Sequence, residues 1–95
     1  MHYTECMRRF RHLEGIAKGF ANHRRIEMMA LLEKSPELSL LEVSEALGIN
    51  FKTAGEHLRK LVISGLVMKR NAGHAVRHAL TPLGRHVLKF CRTLE

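Results

Sequence analysis

Between Asn50 and Arg59 the chain gathers Asn50, Lys52, Thr53, Glu56, His57 and Arg59, with Phe51 and Gly55 among them. Lysine and arginine donate to anionic oxygens. Threonine donates to a phosphate and offers a methyl to a thymine methyl, and a glutamate accepts from an amino group such as that of cytosine. That is recognition chemistry rather than bond-making chemistry. Glu56 and His57 are neighbours in sequence and diverge on a helix, so they do not share one proton. The chain carries no Gly-rich phosphate loop, nucleophile motif or framed pair of acids. The expectation is a non-enzyme without a cofactor.

Two short helical patterns position these side chains. Leu40, Val43, Ala46 and Leu47 follow three- and four-residue spacing, one face of a helix. Ser39 is its N-cap with Glu42 at N3, a capping box. Gly48 supplies the left-handed stop, and Ile49 plugs the turn. Asn50 then caps a second helix, with Thr53 at its N3 position and Ala54, Leu58, Leu61 and Val62 on its buried face. Helix, glycine turn and helix over 40–63 make a helix-turn-helix. Opposite the buried face stand Phe51, Lys52, Gly55, Glu56 and Arg59.

A hairpin follows over 66–80. Ser64-Gly65 ends the second helix, Leu66 to Arg70 is β-prone, and Asn71-Ala72-Gly73-His74 carries turn chemistry. Ala75 to Leu80 returns with Val76, His78 and Leu80 on one face and Arg77 on the other. A helix-turn-helix followed by a hairpin is a winged helix. The wing adds Lys69, Arg70, His74 and Arg77.

The remaining elements frame this motif. Tyr3, Cys6, Met7, Phe10, Leu13, Ala17 and Phe20 follow helical spacing, with Gly15 and Gly19 expected to weaken or end that helix. Asn22 caps a helix whose buried face is Ile26, Met29, Ala30 and Leu32. Arg24 and Arg25 oppose the macrodipole at its start, a cost offset if Arg25 meets a carboxylate or a phosphate. Leu38 and Leu40 are a candidate short strand beside the wing. Thr81 as N-cap and Pro82 at N1 start a last helix, with Leu83, Val87, Leu88, Phe90 and Cys91 on its apolar side. The expected fold is mainly α with a small β-hairpin wing, α-α-α-α-β-β-α, in one domain over 1–95.

The composition agrees. Sixteen Lys and Arg against nine Asp and Glu give a formal net charge of +7, which favours an anionic partner. Ninety-five residues bury a modest core, and chains of this size are often stabilised by pairing with a second copy. No apolar run approaches the roughly 20 residues of a membrane span, and the first residues do not read as a signal peptide. The expectation is a cytoplasmic protein with free thiols at Cys6 and Cys91 and no membrane partner.

The chain resembles the ArsR-like group of small prokaryotic winged-helix transcription regulators. The segments that carry the likeness are Phe20 to Leu32, with Arg25 at the family's usual arginine; Val43 to Ile49; Lys52 to Leu61; and Ser64 to Val67. Together they lie within 20–88, and His57-Leu58 and Gly65-Leu66-Val67 are the most specific pieces. The resemblance implies a homodimer built on the first and last helices, 1–20 and 82–93, with Tyr3, Met7, Phe10, Leu83, Val87 and Phe90 at the interface. It implies sequence-specific binding of double-stranded DNA and regulation of transcription, with repression the simplest mechanism.

On that reading Asn50, Phe51, Lys52, Thr53, Gly55, Glu56, His57 and Arg59 face the major groove. Lys69, Arg70, His74 and Arg77 meet the minor groove or its flanking phosphates. His57 has two readings, a phosphate contact or packing at the core edge. Phe51 either touches thymine methyls or folds back on Ile49. Gly55 departs from the polar residue the family often carries there. The competing function is a winged helix used as a protein-interaction module without specific DNA binding. A lesser alternative is a metal-responsive repressor. The family's thiolate pair is absent from Leu40 to Leu47, and so is the acid-and-histidine pattern of the last helix. Only His2 and Cys6, one helical turn apart, with Cys91 from a paired helix, offer a metal-ligand spacing.

Overall fold

Short-range capping sets the boundaries of every helix after the first. The computed structural model describes the backbone from Tyr3 to Glu95 and the side chains from Met7 onward. Its order is α1 (Tyr3–Phe20), α2 (His23–Lys34), α3 (Leu40–Leu47), α4 (Phe51–Ile63), β1 (Val67–Ala72), β2 (Ala75–Leu80) and α5 (Pro82–Thr93). Asn22 Oδ1 accepts from the Arg24 and Arg25 amides at 2.9 and 3.3 Å, satisfying two of the amides a helix start leaves open. At α3 the Ser39 amide donates to Glu42 at 2.9 Å and the Glu42 amide to Ser39 at 3.1 Å, the reciprocal capping box. Gly48 closes α3 at φ 64°. Asn50 Oδ1 opens α4 by accepting from Lys52 and Thr53 amides at 2.8 and 3.3 Å. Thr81 caps α5 ahead of Pro82, and its hydroxyl donates to the Gly65 carbonyl at 2.6 Å, tying α5 to the end of α4.

The hairpin is antiparallel, with Val67 opposite Leu80, Lys69 opposite His78, Arg70 opposite Arg77 and Ala72 opposite Ala75. The strands run further than the turn chemistry suggests, leaving Gly73 and His74 as the two-residue connection. Leu38 joins the hairpin through one bridge to His78. Leu40, expected beside it, belongs instead to α3. The result is a winged helix-turn-helix, mainly α with a two-stranded wing.

The core holds Met28, Met29, Leu32, Val43, Ala54, Leu58, Leu61, Leu66, Val67, Leu80 and Leu88. Fully burying one such side chain is worth about 1.5–3 kcal/mol. Three sequence expectations are corrected. Met28 is buried in α2, whereas Ile26 and Ala30 are only half-buried. In α3, Ala46 is exposed and Ser44 is buried instead, its hydroxyl donating to the Leu41 carbonyl at 2.8 Å. Helix α1 runs through Gly15 and Gly19 to Phe20. Gly19 is a packing requirement, because a Cβ there would collide with the side chain of Ser64, the C-cap of α4. Gly84 plays the same part in α5, where a Cβ would collide with the Leu66 carbonyl.

Candidate nucleic-acid interface

Helix α4 is amphipathic across its width. Ala54, Leu58 and Leu61 are buried, and at 100° per residue the opposite face carries Lys52, Glu56, Arg59 and Lys60, all exposed. Phe51 and Thr53 are exposed at the helix start. Lys60 was not singled out from the sequence, although its position one turn after Glu56 places it on the same face. Asn50 reaches the same end, but its Oδ1 is engaged by the amides it caps. Gly55 turns toward the wing, against Leu40. His57 turns the other way, toward α2.

His57 packs at the edge of the core, against α2. Its Nδ1 accepts from Arg25 Nε at 3.1 Å, so one edge of the ring packs inward. The ring is only half-buried. Partial burial, then the charge of Arg25, hold its pKa below the ordinary 6.5; Lys60 and His23 add to this and Glu56 opposes it. Among the described residues Arg25 joins no carboxylate: its other contacts are the carbonyls of Lys18 and Gly19 at 3.1 and 3.4 Å from Nη1.

The wing is less freely basic than its composition suggests. Arg70 and Arg77 stand opposite each other in the ladder, where like charges repel. Each has an acid partner: Arg70 pairs with Glu37 of the segment before α3 at 3.3 Å, and Arg77 with Glu42 in the first turn of α3 at 2.9 Å. Arg77 also donates to the Glu37 carbonyl at 3.3 Å. Glu37 has φ 68°, an uncommon conformation for a glutamate, and its amide donates to the His78 carbonyl at 2.9 Å. Glu42 serves both the cap and the wing, and its pKa lies below the ordinary value through hydrogen bonds from Ser39, with Arg77 adding a smaller effect. Lys69 is exposed, as is His74 at the hairpin tip. Among the described residues, no ion pair engages Lys52, Arg59, Lys60 or Lys69.

The terminal helices leave apolar side chains uncovered. Phe10 is 59 % exposed, Leu13 57 % and Phe90 56 %, with Met7 also exposed. Leu83 and Val87, expected at a subunit interface, are half-buried against the chain's own core. Leu13 belongs with the exposed set by position. The side chains of His2, Tyr3 and Cys6 lie outside the described residues, and Cys91 is a half-buried free thiol. Among the described residues, no three His, Cys, Asp or Glu side chains converge, and no helix is long and apolar enough to cross a membrane.

Comparison with known proteins places this architecture. The chain's fold is that of the winged helix-turn-helix DNA-binding domain Mb0332 from Mycobacterium bovis, with TM-score 0.84, 21 % identity, and 99 % of this chain and 85 % of that one covered. Reduced HlyU from Vibrio cholerae aligns with TM-score 0.79 and 25 % identity over 95 % of each chain. The transcriptional repressor BigR from Xylella fastidiosa aligns with TM-score 0.76 and 20 % identity over 98 % of this chain and 92 % of that one. No curated protein matches the sequence at a significant level. Residues 22–69, about half of the chain, match the bacterial regulatory proteins of the arsR family. That match spans α2, the helix-turn-helix and the start of the wing, and it agrees with the resemblance carried by Arg25, His57-Leu58 and Gly65-Leu66-Val67: the chain belongs to the arsR family and is a winged-helix transcriptional regulator.

Proposed function

We propose that two copies of the chain pair through α1 and α5 and bind a pseudo-palindrome in double-stranded DNA, repressing transcription by occluding a promoter. The observation that carries this is the exposed face of α4. Lys52, Arg59 and Lys60 project from a helix anchored by Ala54, Leu58 and Leu61, with Thr53 at its start and Lys69 beside it on the wing. On this reading α4 enters the major groove and Lys69 and His74 grip phosphates. Arg70 and Arg77 mainly hold the wing against α3. The whole chain, 1–95, works as one DNA-binding unit in the cytoplasm.

Met7, Phe10, Leu13 and Phe90 are exposed on the terminal helices, which supports pairing there. The similar domain from Mycobacterium bovis is homodimeric, and BigR is a repressor. Pairing would set the two α4 helices one DNA turn apart, about 34–36 Å. Selection from genomic fragments at two salt concentrations tests the proposal. An enriched inverted repeat whose affinity falls steeply with salt is the expected result. Weak, unselective binding would overturn it in favour of a protein-interaction module.

A further inference from the structure

Between α3, α4 and the wing lies a groove of about 280 Å³. Leu40, Leu58 and Val76 form its apolar walls. Gly55 lines it without a side chain, and a Cβ there would make only van der Waals contact with Leu40, so the glycine leaves open space. The groove also holds a polar group that is otherwise unused. His78 is 4 % exposed, and its Nδ1 lies 3.0 Å from the Leu38 carbonyl. A carbonyl oxygen only accepts, so Nδ1 carries the hydrogen, and in the neutral ring Nε2 is an acceptor. Among the described residues Nε2 has no partner, yet none of their side-chain nitrogens is both fully enclosed and unpartnered. Nε2 therefore keeps some access to solvent, and His78 is one of the residues that line the groove. Arg59 and Lys69 complete the lining, and neither joins an ion pair among the described residues.

We propose that this groove binds a small amphipathic anion: an apolar ring or short chain with a hydroxyl at its inner end and a carboxylate at its outer end. The hydroxyl donates to His78 Nε2. The apolar body lies over Gly55 against Leu40, Leu58 and Val76, and the carboxylate meets Arg59 and Lys69. The volume falls just short of the ~300 Å³ at which small-molecule sites begin, so the occupant is a single-ring molecule. Arg59 and Lys69 also belong to the face proposed for phosphate, so a bound anion withdraws two cations from DNA. That consequence rests on the DNA-docking proposal; binding to the groove does not.

The test titrates the full chain with 4-hydroxybenzoate and follows backbone amide resonances. Expected are saturable shifts confined to Gly55, Leu58, Lys69, Val76 and their neighbours. Benzoate, lacking the hydroxyl, binds about three- to tenfold more weakly, the worth of one hydrogen bond. Val76→Trp, at an exposed wing position, closes the groove and abolishes the shifts. Gly55→Leu fills it from the other side and does the same. Shifts that fail to saturate, that centre on α1 or α5, or that persist in both variants overturn the site. In a separate arm, 4-hydroxybenzoate weakens DNA binding by the wild type and leaves that of Val76→Trp unchanged. Groove-confined shifts with unaltered DNA affinity support the site and count against phosphate contact by Arg59 and Lys69.

Discussion

Arg25 Nε donates to His57 Nδ1 across 3.1 Å, joining the first turn of α2 to the middle of α4. The same guanidinium holds the last carbonyls of α1 through Nη1. One side chain thus fixes three helices, and it does so only while His57 is neutral, because a nitrogen that accepts carries no proton. The hydrogen of the neutral ring then sits on Nε2, which has no partner within the protein among the described residues and is free to donate to a phosphate. A lysine cannot reproduce the arrangement, since the contacts need two differently aimed donors of a planar fork.

That contact predicts a pH dependence of stability. The folded pKa of His57 is depressed below 6.5 by burial and by Arg25. Between the folded and unfolded values the unfolded chain binds more protons, so stability rises with pH there. The stabilising contribution is fully present above about pH 6.5, and it is lost as pH falls through the folded value. Chemical denaturation of wild type and His57→Gln from pH 7.5 to 5 checks this. The wild type should lose more stability on acidification than the variant; parallel curves would count against the contact.

The basic residues of the site divide into two groups with different expected phenotypes. Lys52 and Arg59 are exposed and have no ion-pair partner among the described residues. Replacing either with alanine should weaken DNA binding across sequences and flatten the log–log salt slope by about 0.9 per lost phosphate contact. Arg77 is engaged by Glu42 and the Glu37 carbonyl. Arg77→Ala should change the salt slope little and destabilise the fold by about 0–1 kcal/mol, as exposed ion pairs do. Salt titration of binding by all three variants separates the groups.

These contrasts mark what the sequence made legible. Caps act over two or three residues, so Ser39 with Glu42, Asn50 with Thr53 and Thr81 before Pro82 could be read locally, and they locate the helix-turn-helix. The amphipathic period located Ala54, Leu58 and Leu61. The pairings that tune the site span far greater separations: Arg25 to His57 across 32 residues, Arg77 to Glu42 across 35 and Arg77 to Glu37 across 40. No local rule assigns such partners, so arginines that read as free for phosphate proved to have protein partners. The burial of Ser44 over Ala46 was hidden for a related reason. In an eight-residue helix the packed face is set by neighbouring elements, and a hydroxyl bonded to its own backbone tolerates burial.

Two glycines in helices should respond oppositely to alanine. At Gly15 nothing lies within 4 Å of an added Cβ, so Gly15→Ala gains helix propensity and stabilises by about 0.5–1 kcal/mol. At Gly84 the added carbon meets the Leu66 carbonyl and Leu80. Because backbone cannot swing aside as a side chain can, Gly84→Ala should destabilise by about 1–3 kcal/mol or more. Urea denaturation at neutral pH measures both, and equal effects would refute the close approach of α5 to the start of the wing.

Pairing through the terminal helices predicts a linked loss of assembly and DNA binding. Phe10 on α1 and Phe90 on α5 each expose more than half of their surface, and neither joins the chain's own core; large exposed apolar side chains mark interaction surfaces. An aspartate at either position would bury a charge if a second copy covers it. Phe10→Asp and Phe90→Asp should therefore sediment as monomers while keeping wild-type helix content, because neither side chain contributes to the chain's own core. Losing the second α4 removes the gain of joining two half-sites, so affinity for an inverted repeat should fall about a hundredfold or more, toward that for a single half-site. Sedimentation velocity together with binding to one- and two-half-site duplexes decides the matter. Variants that remain dimeric would place the subunit contact elsewhere. Monomers that bind the full repeat as tightly as wild type would remove the need for pairing.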